Sequence, residues 1–142
     1  MDRRPVLDDD ALAEGFASAR LPNGAFGHEE HVRAAFLYLT RTGDFGEAAV
    51  RFRRDLRRFA AAHGAAGKYH ETLTWAYLAL INERAHGTTF SSSAAFLRLH
   101  PELLDQKEGL LSRYYDLGSV ARSDRARQVF LLPRRDPSGR EP

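Results

Sequence analysis

The chain has no cysteine, one methionine and one tryptophan. Without cysteine there can be no disulfide, no thiolate metal site and no cysteine nucleophile. Long apolar runs are also lacking. The longest, residues 75–81, falls far short of the ~20 residues that a bilayer-spanning helix requires. The opening "MDRRPVLDDD" offers no apolar core for a secretory signal, so the expected location is the cytoplasm. No charge of one sign dominates: 21 Lys and Arg stand against 19 Asp and Glu, a net +2. Although the pI is near 9.2, that balance calls for no nucleic-acid partner. Internal repeats and low-complexity blocks are absent, as is any Gly-x-Ser-x-Gly element. "GTTFSSS" (87–93) lacks the Gly-Lys-Ser/Thr of a phosphate loop and reads as a loop followed by a helix cap.

What remains is 142 residues of ordinary globular composition, 43% hydrophobic and 28% charged. This is one domain with enough chain to build a core. Apolar spacing predicts an all-α, single-domain bundle of about five to seven helices. Residues 1–132 form the predicted helical domain. Residues 133–142, "PRRDPSGREP", are predicted to be a mobile polar tail.

The predicted helices cover about 9–19, 28–41, 46–62, 69–85 and 92–99. Shorter ones are predicted near 108–115 and 124–130, and Pro101 opens a further turn. Residues 69–85 are apolar all round, which predicts a central helix. "RFRRDLRR" (51–58) puts Phe52 and Leu56 inward and reads as an arginine-rich solvated face, not a nucleic-acid interface.

Histidines provide the functional signal. Short links make the helices at 28–41, 46–62 and 69–85 antiparallel neighbours in sequence. The start of the first, the end of the second and the start of the third then meet at one end of the bundle. His28 and His31 lie at the first of these points, His63 at the second and His70 at the third, four of the six histidines. Spacing of three places His28 and His31 on one side of their helix. Helix N-termini disfavour imidazolium, and neutral imidazoles can ligate a metal or act as bases. His31, His70, Tyr69 and Thr74 are the candidate catalytic residues. His28, His31 and His70 are candidate metal ligands, with Glu71 and His63 as further donors, and zinc or iron as the metal such a set would suit. His28-x-x-His31 is not the metalloprotease His-Glu-x-x-His, whose histidines are four apart. The plain alternative is that these histidines cap helices and bond to backbone carbonyls.

The stretches "FGHEEHVRAAFLYL", "KYHETLTWAYLAL" and "HPELLD" resemble a group of small uncharacterised bacterial helical proteins. Their pattern is an aromatic before His-x-x-His-Leu/Val, then Tyr-His-x-Thr-x-Thr, then Pro-Glu-Leu-Leu-Asp. It falls here on His28 and His31, on Tyr69, His70, Thr72 and Thr74, and on residues 101–105. The resemblance spans about residues 26–116 and implies the same choice of site residues, without a reaction.

Two functions compete at this level. One is a small-molecule enzyme performing non-redox hydrolysis, hydration, elimination or isomerisation, with histidines as metal ligands or acid and base. The other is a non-catalytic helical module that binds a ligand or a partner. A small-molecule ligand is expected, with no nucleic acid and no membrane. Homo-oligomerisation is left open.

Overall fold

A computed structural model of the chain describes residues 7–106 and 109–133. Seven helices form among them: α1 (Asp9–Ala17), α2 (His28–Thr42), α3 (Phe45–Ala62), α4 (Glu71–Ala85), α5 (Ser93–Leu99), α6 (Leu117–Arg122) and α7 (Asp124–Gln128). Short 3-10 turns occupy Asn23–Ala25, Ala66–Lys68, Pro101–Leu104 and Leu110–Arg113. The described residues contain no strand, and the fold is an all-α bundle. The predicted tail lies outside the described residues from position 134 onward.

Side-chain caps fix where the helices begin. Asp8 accepts from the Ala11 N–H at 2.7 Å, Asp44 from Glu47 at 2.9 Å, Ser92 from Ala95 at 3.1 Å and Ser123 from Ala126 at 3.0 Å. Each satisfies a donor that the first helical turn leaves free. α2 ends at Gly43, whose φ of 79° lies in the left-handed region that favours glycine.

The departures from expectation are local. α1 closes two residues early, at Ala17. α4 starts at Glu71 instead of 69, because His70 serves as its N-cap and 66–68 coil into a 3-10 turn. The segment at 108–115 yields only the turn at Leu110–Arg113, and α7 ends at Gln128, short of 130. Helix α6 was not foreseen. It buries no residue, so it leaves little apolar periodicity in the sequence.

α2 is the most enclosed helix, with every residue from Val32 to Leu37 buried. α4 buries Thr72, Ala76, Leu78, Leu80 and Ile81, but Trp75 and Tyr77 are only half-buried and Ala79 is exposed. The expectation that α4 is surrounded on all sides is therefore corrected. Aromatic rings tie α1, α2 and α3 together: Phe16 meets Tyr38 edge-on at 5.7 Å and stacks on Phe52 at 5.3 Å.

One polar cluster is built into this core. Arg33 is buried, and its Nε donates to Ser93 Oγ at 2.8 Å. Its terminal nitrogen reaches the Leu7 carbonyl at 2.6 Å and Asp9 at 3.2 Å. Asp9 in turn accepts from the Ser93 N–H at 2.9 Å and hydroxyl at 2.6 Å. Every member is satisfied, as a buried charge requires. The cluster joins α1, α2 and α5 on one face of α2, while His28, His31 and Ala35 turn the other face of the same helix toward a cavity.

Candidate functional site

The cavity measures about 390 Å³. The first turn of α2 contributes His28 and His31, the last turns of α3 contribute Phe59 and Ala60, and the start of α4 contributes Leu73 and Thr74, with Lys68, Tyr69 and His70 just before it. At the far end of the bundle Leu39 and Arg41, Phe45, and Asn82 and Ala85 line another depression. The end of α2, the start of α3 and the end of α4 therefore meet there. The two ends together place α2, α3 and α4 in the expected up, down, up order.

Apolar side chains make the cavity's floor and walls, among them Val32, Phe52, Leu56, Leu78 and Ile81. Polar groups add His28, His31, Lys68, Tyr69, His70, Thr74, Tyr77 and Gln106. A mainly apolar cleft with a few polar groups is the usual form of a small-molecule site, and the volume falls within the usual range of about 300–1,000 Å³.

The three cavity histidines are in different chemical states. His70 Nδ1 accepts the Leu73 N–H at 3.1 Å, so the proton sits on Nε2, which donates to the Val120 carbonyl at 2.9 Å. No ring lone pair is left. In this arrangement His70, expected as a metal ligand or catalytic base, caps α4 and anchors α6. His28 Nε2 donates to the Leu103 carbonyl at 2.9 Å, and its ring meets Tyr77 edge-on at 5.3 Å between centroids. Its Nδ1 keeps a lone pair.

Of the three cavity histidines, only His31 has both ring nitrogens free of hydrogen bonds to the described residues. Its ring packs on Phe26 at 4.3 Å between centroids. Burial, and then the neighbouring His28, push its pKa down to about 4, against a smaller upward pull from Glu30. The positive end of α2 acts in the same direction. Among the described residues only His63 carries a side-chain nitrogen that is both sealed and unpartnered, so the nitrogens of His31 remain reachable.

His63 does not line the cavity. It closes α3 with its ring against Phe59, at 4.5 Å between centroids. Glu71 is also committed elsewhere, accepting from Arg53 Nε at 2.8 Å and from the Tyr69 hydroxyl at 2.6 Å. Burial would raise its pKa, but these two hydrogen bonds outweigh that and hold the carboxyl below its usual range. Burial, then the bond to Glu71, push the Tyr69 phenol well above its ordinary value, with Thr74 opposing. Tyr69 thus stays protonated, with its hydroxyl committed to Glu71.

Among the described residues, no group of three or more His, Cys, Asp or Glu side chains is placed to hold a metal ion. The ligand set His28, His31 and His70, with Glu71 and His63, is not assembled. Each missing member is held by a specific bond or lies outside the cavity. The cavity chemistry that remains is a neutral imidazole at His31, the Nδ1 lone pair of His28, the Thr74 hydroxyl and the Lys68 ammonium.

Sequence reasoning missed Lys68, Tyr77 and Gln106. Tyr77 was legible in principle, because it lies seven residues after His70 on one helix face. Gln106 reaches the cavity only through the fold of the 101–106 segment and leaves no local signal. No protein-family model, curated protein or solved structure matches this chain.

Proposed function

We propose that this protein binds a small, largely apolar molecule in the α2–α3–α4 cavity through one polar end, and that His31 is the residue that engages that end. A single observation carries the reading: a largely buried imidazole, neutral and free of protein hydrogen bonds, faces a cavity of about 390 Å³. A group of this kind orients a ligand by donating or accepting one hydrogen bond, because either tautomer is available to it. Proton transfer through His31 gives the non-redox route to turnover, by hydration, elimination or isomerisation. A base with a pKa near 4 takes a proton readily only from an acidic carbon or hydroxyl, or once the ligand has itself altered the site. His28 and Thr74 stand as the second polar contacts, and Lys68 supplies positive charge at the same cavity.

Phenol, benzoate and benzylamine, titrated separately into the full chain and followed by nuclear magnetic resonance, test this. The expected result is saturable shifts in His31, Leu73 and Phe26, with phenol or benzoate ahead of benzylamine because Lys68 disfavours a cation. His31→Ala should abolish the shifts while the helical circular dichroism is kept. Unchanged binding by His31→Ala would remove the proposal.

A second reading, a helical partner-binding module without turnover, is favoured by a different feature. Phe45, Tyr114 and Phe130 are exposed beside Leu80 and Leu111 in an apolar groove whose lining contains no histidine.

A further inference from the structure

The outer face of Tyr69 borders a second cleft, about 430 Å³ in volume, lined by Arg53, Arg57, Arg127, Glu71 and the Ala66–Gly67 turn. Arg53 and Arg57 lie one turn apart on α3, and both guanidiniums sit over the Tyr69 ring, at 5.9 and 5.6 Å from its centroid. Such stacking holds a planar cation in place and leaves its N–H edge free. Arg127 approaches from α7, its terminal nitrogens donating to the Ala121 carbonyl at 3.1 Å and to Asp124 at 2.9 Å.

The cleft's charge is unbalanced. Three guanidiniums face one carboxylate, Glu71, which is already engaged by Arg53 and by the Tyr69 hydroxyl. Asp124 is 87% exposed and does not line the cleft. Arg57 has no carboxylate partner among the described residues. Holding like charges together in a concavity is unfavourable unless an anion completes them. The other arginines of α3 contrast with this. Arg54 and Arg58 both pair with the buried Asp55, at 3.1 and 3.0 Å, and Arg51 pairs with Glu47.

We propose that this cleft binds the phosphate group of a small ligand, with Arg57 and Arg127 as its direct contacts and Arg53 held ready by Glu71. Among the described residues Arg57 has no carboxylate of its own, Arg127 pairs only with the exposed Asp124 outside the cleft, and forked guanidinium donors match phosphate oxygens. The site shares Tyr69 with the histidine cavity but no other direct contact. Failure here leaves the His31 reading intact, and the reverse also holds.

Inorganic phosphate titrated into the full chain at low ionic strength, followed through arginine Nε–H resonances, is the test. The expected result is saturable shifts of Arg57 and Arg127. Arg57→Gln and Arg127→Gln should each weaken binding at least about tenfold, because each removes charge-assisted hydrogen bonds, and Arg51→Gln should bind as the parent does. Arg57 is exposed, so Arg57→Gln keeps the helical circular dichroism. The proposal is overturned by an absence of saturation, by parent-like binding in both cleft variants, or by acetate binding as tightly as phosphate, which would mark general attraction to positive charge.

Discussion

At the scale of single residues, His31 combines two properties that buried histidines seldom share: it is held neutral, and neither nitrogen is tied to the protein. A consequence for stability follows. Above pH 6.5, its ordinary pKa, the imidazole is neutral whether the chain is folded or not. Between pH 6.5 and about 4 the unfolded chain takes up a proton that the folded form refuses. Stability therefore falls with pH across that window and levels off below it. A shift of this size corresponds to about 3 kcal/mol. Urea denaturation of the parent and of His31→Gln at a series of pH values should show the steeper loss in the parent. Parallel curves would mean that His31 is not desolvated as described. His70 is the counterpart: with Nδ1 on Leu73 and Nε2 on Val120, it is a structural bracket that a sequence cannot tell from a base.

At the scale of elements, helix ends decide the geometry of the site. α2 must stop where α3 can turn back, and Gly43 provides that stop at φ 79°. An L side chain in this region costs about 1–2 kcal/mol. Nothing crowds the position: a Cβ there would have no neighbour within 4 Å. Gly43→Ala should therefore lower the denaturation midpoint by an amount matching backbone strain alone, with an unchanged m-value. A neutral substitution would indicate that the turn relaxes. Gly109 is constrained in another way, since a Cβ would fall 1.9 Å from the Asp105 carbonyl oxygen. The start and end of α2, α3 and most of α4 were legible because apolar spacing, capping Asp and Ser, and terminal Gly are local signals. α6 was not, because a six-residue helix that buries nothing carries no periodicity.

At the scale of the whole molecule, the C-terminal segment is fastened to α4 through one buried hydroxyl. Thr72 Oγ1 lies 2.7 Å from the Ala126 carbonyl and 2.8 Å from the Val129 carbonyl, and it accepts the Leu131 N–H at 3.0 Å. Together with His70 on Val120, it holds α6 and α7 beside the cavity end of the bundle. Thr72→Val keeps the shape, removes these bonds and strands the Leu131 N–H. Such a loss costs about 1–3 kcal/mol. Hydrogen exchange should speed up in residues 124–131 well before it does in α2. Uniform acceleration along the chain would show instead that the segment and the bundle unfold as one unit.

The sequence by itself determined the all-α class, the boundaries of α1 to α5 to within a few residues and the meeting of His28, His31 and His70 at one end. Those follow from periodicity, capping and short connections, all of which act over a few residues. Tertiary structure alone decided which histidine stayed free. The partners that occupy His28 and His70 are carbonyls 75 and 50 residues away in the chain, at Leu103 and Val120. The diversion of Glu71 to Arg53, the exclusion of His63 from the cavity and the entry of Gln106 into it are likewise decided between segments. Spacing along a chain records which residues can share a helix face. It holds no record of which carbonyl a distant segment will bring to a ring nitrogen, and that contact decides which histidine nitrogens stay open to the cavity.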